Sequence, residues 1–247
     1  MITHSFYFIS VVIPAYNEEK LIGRTVDALK NQDYPREKFE IVVVDHRSTD
    51  KTFEVAKQHG ARLLSYTEDG ATIGATRQYG SEDAKGPILA YVDADSLPGQ
   101  DWLRRIDEHM QDDAVVCIGG IALLDTKNRS ALFMNSFYNY FLRLNQFFGK
   151  TLPWGFNMAV RKDALLAVGG FDKRLKTSED WDLALRLAKK FGRKSVIYCQ
   201  DVRVITSARR YEKPSALLPY FIYGTKNYIN VALLGKSIAT SAYLPHT

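Results

Sequence analysis

Between Phe6 and Val92 the chain repeats one pattern, an apolar run that stops abruptly at polar or charged residues, followed by a segment of helical period. The runs are Phe6 to Ile13 ending at Pro14, Ile41 to Val44, a weaker Ala61 to Tyr66, and Pro87 to Val92. Between the first two lies NEEKLIGRTVDALKNQ, where Leu21, Ile22, Thr25, Val26 and Leu29 share a helical face and Asn17 can serve as N-cap. Ser48 or Thr49 can cap a second helix that ends at Gly60, and a third occupies about Ala71 to Ala84. A fourth carries Trp102, Leu103, Ile106 and Met110. Strands that alternate with helices need crossover connections, which predicts an α/β fold with a mostly parallel sheet covered on both faces. Val42, Val43 and Val44 in succession fit a strand buried on both sides.

The second half is less regular. Val115 to Leu124 reads as a strand, Ser130 to Phe148 as an aromatic-rich helix, and Trp154 to Val160 as another strand. A short helix, DALLAV, ends at Gly169-Gly170; an amphipathic helix covers Asp180 to Phe191; two short strands follow in SVIYC and VRVIT. The expected organisation is one domain over residues 1–213, with a regular half at 1–98 and a less regular half at 99–213. Residues 214–247, amphipathic in pattern and tyrosine-rich, are expected to be a C-terminal appendage. With 247 residues, 46% of them hydrophobic and 25% charged, the chain is globular and long enough for a substantial core. Net charge +5 suits contact with anions such as nucleotide phosphates or an acidic membrane surface, but no Lys/Arg run marks a nucleic-acid binder. Cys117 and Cys199 sit in apolar runs as buried free thiols, and no Cys/His cluster has zinc spacing. The N-terminal MITHSFYFISVVIP lacks the features of a signal peptide, and no apolar stretch has bilayer-spanning length. The expected location is the cytoplasm, with peripheral contact at the inner face of the membrane as an open alternative.

Ligands of open parallel sheets bind beyond the carboxyl ends of the strands. Here the first strand delivers Pro14, Ala15, Tyr16, Asn17 and Glu18, the second Asp45, His46 and Arg47, and the fourth Asp93, Ala94, Asp95 and Ser96. With a side-chain period of two, Asp93 and Asp95 would share one side of a strand and face one cation. Such hard oxygen ligands suit Mg²⁺ or Mn²⁺. No glycine loop of phosphate-cradling type is present, so phosphate charge falls to the metal and to Arg or Lys, with Arg77 in GATRQYG nearest in sequence.

Several segments together carry a family resemblance. VVIPAYNEEKLIGRTVDALKNQDYP, VVVDHRSTDKT, ATRQYGSEDAKGPILAYVDADSLPGQDWL, NMAVRKDALLAVGGFD and SEDWDLALRL occur in the order seen in family 2 glycosyltransferases. The resemblance implies a GT-A fold with a nucleotide-sugar-binding half at 1–98 and an acceptor half at 99–213, a nucleotide-sugar donor such as a UDP- or GDP-sugar, a divalent metal and inversion at the anomeric centre. It implies that Pro14, Tyr16 and Glu18 line the nucleoside pocket with Asp45 beside the base, and that Arg77 lies against the diphosphate. It makes Asp95 the direct metal ligand, with Asp93 near the ribose or the metal, and adds Trp154 and Glu179 to the substrate-binding set. Asp180 would be the base that deprotonates the acceptor. A helix start lowers the pKa of such a carboxylate, whereas desolvation by Trp181 raises it.

Two departures stand out. Where relatives show Asp-Asp-Gly-Ser the chain has Asp45-His46-Arg47-Ser48, which leaves the nucleotide open. Where many relatives place a metal-proximal His it reads VITSARRY; Arg209 and Arg210 could meet phosphate or form a solvated turn. FMNSFYNYFLRLNQFF, residues 133 to 148, is either a core helix or an interfacial helix near a lipid-linked acceptor. The resemblance implies a glycan or lipid-linked acceptor. The competing functions are a lipid-carrier glycosyltransferase of the same fold and a non-catalytic nucleotide-sugar or glycan binding module.

Overall fold

The computed structural model describes residues 5–209, residue 222 and residues 225–233. The four strands expected in the first half are present as β1 (Ile9–Ala15), β2 (Phe39–Asp45), β3 (Arg62–Ser65) and β4 (Ile88–Tyr91). Helices α1 (Ile22–Lys30), α2 (Thr52–Gln58) and α3 (Ile73–Asp83) connect them, and all pairings among these strands are parallel. Ala15 lies opposite Asp45, so β1 and β2 end flush on one edge.

Alternation along the strands builds two cores. Ile9, Val11, Ile13, Ile41 and Val43 pack on one face with Ile22, Val26 and Leu29 of α1. Val12, Val42 and Val44 pack on the other with Ala75 of α3 and Leu89 and Tyr91 of β4. The valine triplet is fully buried because both faces are covered. Burying each valine contributes about 1.5–3 kcal/mol. Helix α3 lies close against the sheet at Gly80, where a Cβ would fall 2.6 Å from Val12 Cγ1 and 2.7 Å from Val44 Cγ2.

The second half adds β5 (Ser96–Pro98), α4 (Trp102–Met110), β6 (Cys117–Asp125), α5 (Arg129–Phe147), β7 (Met158–Arg161), α6 (Lys162–Ala167), α7 (Glu179–Phe191) and β8 (Val196–Ser207). The sheet order is β3-β2-β1-β4-β7-β6-β8-β5. β7 runs antiparallel to both β4 and β6, β6 and β8 are parallel, and β5 is antiparallel to β8. The sheet is thus mostly parallel, and each of its antiparallel pairs involves a strand of the second half.

Four details differ from the sequence-based expectation. β5 is only three residues long, too short to show a period. The two short strands after α7 are one strand, β8, with a register shift opposite Gly120 and Ile121. The irregularity fits Gly120, whose missing Cβ leaves room for the Val202 carbonyl. Asn17, Ser48 and Thr49 cap no helix: α1 starts at Ile22, and α2 starts at Thr52, whose amide donates to Asp50 Oδ1 at 2.9 Å. They bond across to each other's loops instead, an option that exists only once the parallel register sets those loops side by side. Finally, His109, Cys199 and Asp201 come together without zinc spacing, His109 Nε2 lying 2.8 Å from Asp201 Oδ1 beside the buried thiol.

Gly60 closes α2 as expected, with φ 90° and the Ala61 amide donating to the Ala56 carbonyl. Of the proposed appendage, residues 225–233 are described, and Val231 packs with Leu142, Leu152, Trp181 and Tyr198. The rest of 214–247, apart from residue 222, lies outside the described residues. No helix among the described residues is long and apolar enough to cross a membrane.

Candidate active site

The parallel run of β1, β2 and β4 opens their carboxyl ends on one edge, and there the loops after β1 and β2 are clipped together. The Asn17 amide donates to Ser48 Oγ at 2.9 Å and the Thr49 amide to Asn17 Oδ1 at 2.8 Å. The Glu18 amide donates to Thr52 Oγ1 at 2.7 Å, and that hydroxyl donates to Asp50 Oδ1 at 2.5 Å. Asn17 and Arg47 hold left-handed backbone, φ 53° and 55°, to make these turns.

Above this clip stands an aromatic row. Tyr16 is 55% exposed; its ring lies 6.1 Å from His46, His46 lies 5.8 Å from Tyr66, and Tyr66 lies 4.9 Å from Tyr79. His46 Nε2 sits 3.0 Å from the Glu68 carbonyl. Arg47 turns outward and pairs with the exposed Asp69. The two departures in VVVDHRSTDKT thus have separate places, His46 in the row and Arg47 at the surface. Asp45 is buried; its Oδ2 accepts from the Ser48 amide at 3.2 Å, while its Oδ1 is buried without a hydrogen-bond partner. Pro14 is buried within β1 behind them.

A second cluster forms where α3, the end of β4 and the start of α7 converge. Arg77 on α3 is buried, its Nη2 donating to Asp93 Oδ1 at 2.9 Å and its Nη1 to Glu179 Oε1. A guanidinium is this deeply placed only when carboxylates neutralise it, and these two come from positions 16 and 102 residues away in the chain. Its Nε has no partner. The expectation that Arg77 lies against a diphosphate thus meets a side chain whose two terminal nitrogens are already engaged.

Asp180 follows Glu179 at the start of α7. Its Oδ2 accepts from the Gly155 amide at 2.7 Å and its Oδ1 from the Trp181 amide at 2.8 Å. Burial, then the neighbouring Glu179 charge, push its pKa up to about 7 against the pull of Arg77 and the two amides. Ser178, just before, is left-handed at φ 59° and swings the chain into α7. Gly155 is required by contact: a Cβ there would fall 2.6 Å from Arg77 Nη1 and 2.9 Å from Asp180 Oδ2. The preceding Trp154 is half-buried, donates from Nε1 to Asn139 Oδ1 at 3.3 Å and stacks on Phe156.

The third cluster joins Glu18, Asp95 and Arg209. Arg209 Nη1 donates to Glu18 Oε2 at 2.9 Å, and Nη2 lies 3.2 Å from Asp95 Oδ2. β4 ends at Tyr91, and the Ser96 amide donates to the Asp93 carbonyl at 3.1 Å. Asp93 and Asp95 therefore lie on a turn rather than a strand, and the period-two argument for a shared side does not apply. One carboxylate meets Arg77 and the other Arg209. Arg210 lies outside the described residues. Gly155 escaped notice in the sequence, though a glycine directly after Trp154 was its one signal.

Comparison with known proteins agrees with this architecture. The family model described as "Glycosyl transferase family 2" matches residues 10–169. The glycosyltransferase AglE of Haloferax volcanii is 32% identical over 187 residues, covering 72% of this chain and 60% of that protein. A Methanococcus voltae protein, dolichyl N-acetyl-alpha-D-glucosaminyl phosphate 3-beta-D-2,3-diacetamido-2,3-dideoxy-beta-D-glucuronosyltransferase, is 28% identical over 203 residues, covering 74% and 62%. The chain therefore spans about 60% of the length of these curated relatives. Among solved structures, the mannosyltransferase PcManGT from Pyrobaculum calidifontis, in complex with GDP-Man and Mn²⁺, has a TM-score of 0.70 at 23% identity. That match covers 90% of this chain and 65% of the other. S. aureus TarS 1-349 in complex with UDP-GlcNAc has a TM-score of 0.64 at 21% identity, covering 93% and 67%. The fold is of GT-A type, and the chain belongs to glycosyl transferase family 2.

Proposed function

We propose that the chain is an inverting, metal-dependent glycosyltransferase that moves a sugar from a nucleoside-diphosphate donor to an acceptor hydroxyl. The observation that carries this reading is the link Asp93–Arg77–Glu179, which holds the Asp93-x-Asp95 turn and the Asp180 carboxylate in one buried frame. A structural ion pair alone would not need Asp180 beside it, held by two amides with its pKa raised toward neutrality.

Within this reading Asp45 Oδ1, the buried acceptor without a partner, takes an N–H of the base, and Tyr16 offers its exposed ring as a stacking surface. Pro14 and Glu18 complete the nucleoside side, and Trp154 the acceptor side. Arg77 acts by positioning carboxylates. Arg209, half-exposed, is the guanidinium better placed to meet the diphosphate, and Asp95 must then exchange its Arg209 contact for donor and metal.

The residues fit a divalent cation. Asp95, Asp93 and Glu18 offer only hard oxygen donors, and a positive group, Arg209, already stands beside two of them. Mn²⁺ or Mg²⁺, held by Asp95 with Asp93 beside it, would supply Lewis-acid stabilisation of the leaving diphosphate. Asp180 removes the proton from the acceptor hydroxyl as its oxygen bonds the anomeric carbon and the bond from that carbon to phosphate breaks. A pKa raised to about 7 leaves a substantial fraction of Asp180 ionised at neutral pH and makes that ionised form a stronger base than an ordinary carboxylate.

A thermal-shift panel of UDP-, GDP- and dTDP-sugars with and without Mn²⁺ identifies the nucleotide before any acceptor is known. Asp95→Ala is expected to abolish the metal-dependent shift and donor turnover. Asp180→Asn is expected to keep the shift and lose at least a hundredfold in transfer, on the scale of about 10²–10⁴ for general-base catalysis. Full turnover in excess EDTA, or unimpaired transfer by Asp180→Asn, removes the corresponding assignment. Donor binding with no turnover across an acceptor panel would favour the non-catalytic binding module.

A further inference from the structure

Helix α5 carries apolar residues on both of its faces. Its inner face buries Ala131 and Leu142 and is pinned by amides: Asn135 and Asn139 both donate to the Ala122 carbonyl, at 2.9 and 2.6 Å, and Asn139 Oδ1 accepts from the Ala122 amide at 3.3 Å. The same Oδ1 lies 3.0 Å from the Tyr198 hydroxyl, and Asn145 Oδ1 accepts from Tyr228 at 2.5 Å. The outer face carries Phe133 (74% exposed), Phe137 (50%), Tyr140 (63%), Leu144 (41%) and Phe147 (80%), with Phe148 (68%) at the C-cap. Their spacing of four, three, four and three forms one stripe along the helix. An ordinary amphipathic helix has one apolar stripe, which it buries, and a polar face toward solvent; α5 has a second apolar stripe outside. Here the amides are fixed in place by hydrogen bonds, so the helix cannot roll to hide its aromatics without breaking them.

Charge selects the partner. From Thr126 to Lys162 the chain contains no Asp or Glu, and Lys127, Arg129 and Arg143 are exposed at or along α5. A second copy docked on this face in a two-fold manner would bring those cations against their own equivalents, with no carboxylate from the segment to offset them. An anionic lipid surface answers both features, because it accepts rings at the acyl boundary and draws Lys and Arg to its head groups.

We propose that the outer face of α5 is a docking surface for anionic lipid, with Phe133, Phe137, Tyr140 and Phe147 inserted and the helix lying in the plane of the interface. The proposal goes beyond the transferase reading and does not depend on it.

Co-sedimentation with vesicles tests it without donor or acceptor, so its failure and a failure of the transferase reading are told apart. The probes are vesicles of phosphatidylcholine alone and of phosphatidylcholine mixed equally with phosphatidylglycerol. The protein is expected to pellet with the mixed vesicles and to stay largely in solution with the neutral ones. Phe133→Ser combined with Phe137→Ser and Phe147→Ser is expected to lower partitioning by about tenfold or more. These positions are at least half exposed, so the fold is expected to persist, which the thermal midpoint and circular dichroism check directly. Arg129→Glu with Arg143→Glu tests the charge requirement separately and is expected to abolish the preference for phosphatidylglycerol. Wild-type protein that stays in solution with both vesicles overturns the proposal, as does pelleting that survives the triple serine variant. A concentration-dependent dimer in sedimentation velocity, lost in the serine variant and unaccompanied by vesicle binding, would overturn it in favour of a second copy.

Discussion

Asp45 and Asp180 illustrate how differently two carboxylates can be prepared by their surroundings. Asp45 has one oxygen on the Ser48 amide and the other buried with nothing to accept from, an arrangement that costs stability until a donor arrives. Replacing it by Asn removes the charge from the acceptor, and Asp45→Asn is expected to weaken nucleotide binding by about tenfold or more, since hydrogen bonds to charged groups contribute about 1.5–3 kcal/mol. Calorimetric titration with UDP and GDP reads this, and unchanged affinity for both would remove Asp45 from the base. Asp180 titrates inside the working range. Its raised pKa means the carboxylate is protonated, and idle as a base, below about pH 7. The transfer rate at saturating substrate is therefore expected to climb with pH through that region and level off above it. The sign for stability is the opposite: the native state holds this proton more tightly than the unfolded chain, so the contribution is fully present below the unfolded pKa and fades as pH rises through about 7.

At the scale of elements, α3 is the part most exposed to a simple test. Gly80 lets its backbone rest on Val12 and Val44, and a methyl there meets branched side chains that are themselves fully buried. Gly80→Ala is expected to cost about 1–3 kcal/mol by overpacking, against a gain of about 1 kcal/mol in helix propensity. A net loss of midpoint temperature in thermal unfolding checks which effect wins; an increase would mean that the sheet yields at this point. The same scale shows what the residues disclosed in advance. Helices α1, α4 and α7 were legible because their apolar positions repeat with helical period, and β1, β2 and β4 because their runs stop at polar clusters. The caps were misread because the Asn17 and Ser48 side chains accept from amides of a neighbouring loop 31 or 32 residues away, and the Thr49 hydroxyl donates to Asn17 Oδ1, partners that local spacing cannot reveal. The amide lining of α5 was hidden for a similar reason. Asparagines in an aromatic helix look like its solvent side until β6 is seen to offer the Ala122 backbone to them.

The whole molecule is held together across the two halves that the sequence suggested. One hydrophobic cluster runs from Ile9 and Ile41 through Trp102 and Ile118 to Val202 and Val204, and β4 pairs directly with β7. Residues 5–209 are accordingly proposed to unfold as one cooperative unit. Urea unfolding followed by tryptophan fluorescence and by far-ultraviolet circular dichroism is expected to give coincident single transitions; separated midpoints would show that the halves are independent. Topology was the least legible level. Nothing local announces that β7 inserts between β4 and β6 in the antiparallel sense, yet this insertion brings Trp154 and Gly155 to the carboxyl end of β4 and so completes the frame around Asp180. The three non-glycine residues described with left-handed backbone, Asn17, Arg47 and Ser178, all fall at this same edge. That clustering governs how the edge should be dissected. An alanine variant at any of them deletes the side chain yet leaves a Cβ in unfavourable backbone, whereas a glycine variant deletes the side chain and relaxes the turn as well. Only the difference between the paired variants separates what these side chains contribute from what their backbone shape contributes, and a scan with alanine alone would confound the two.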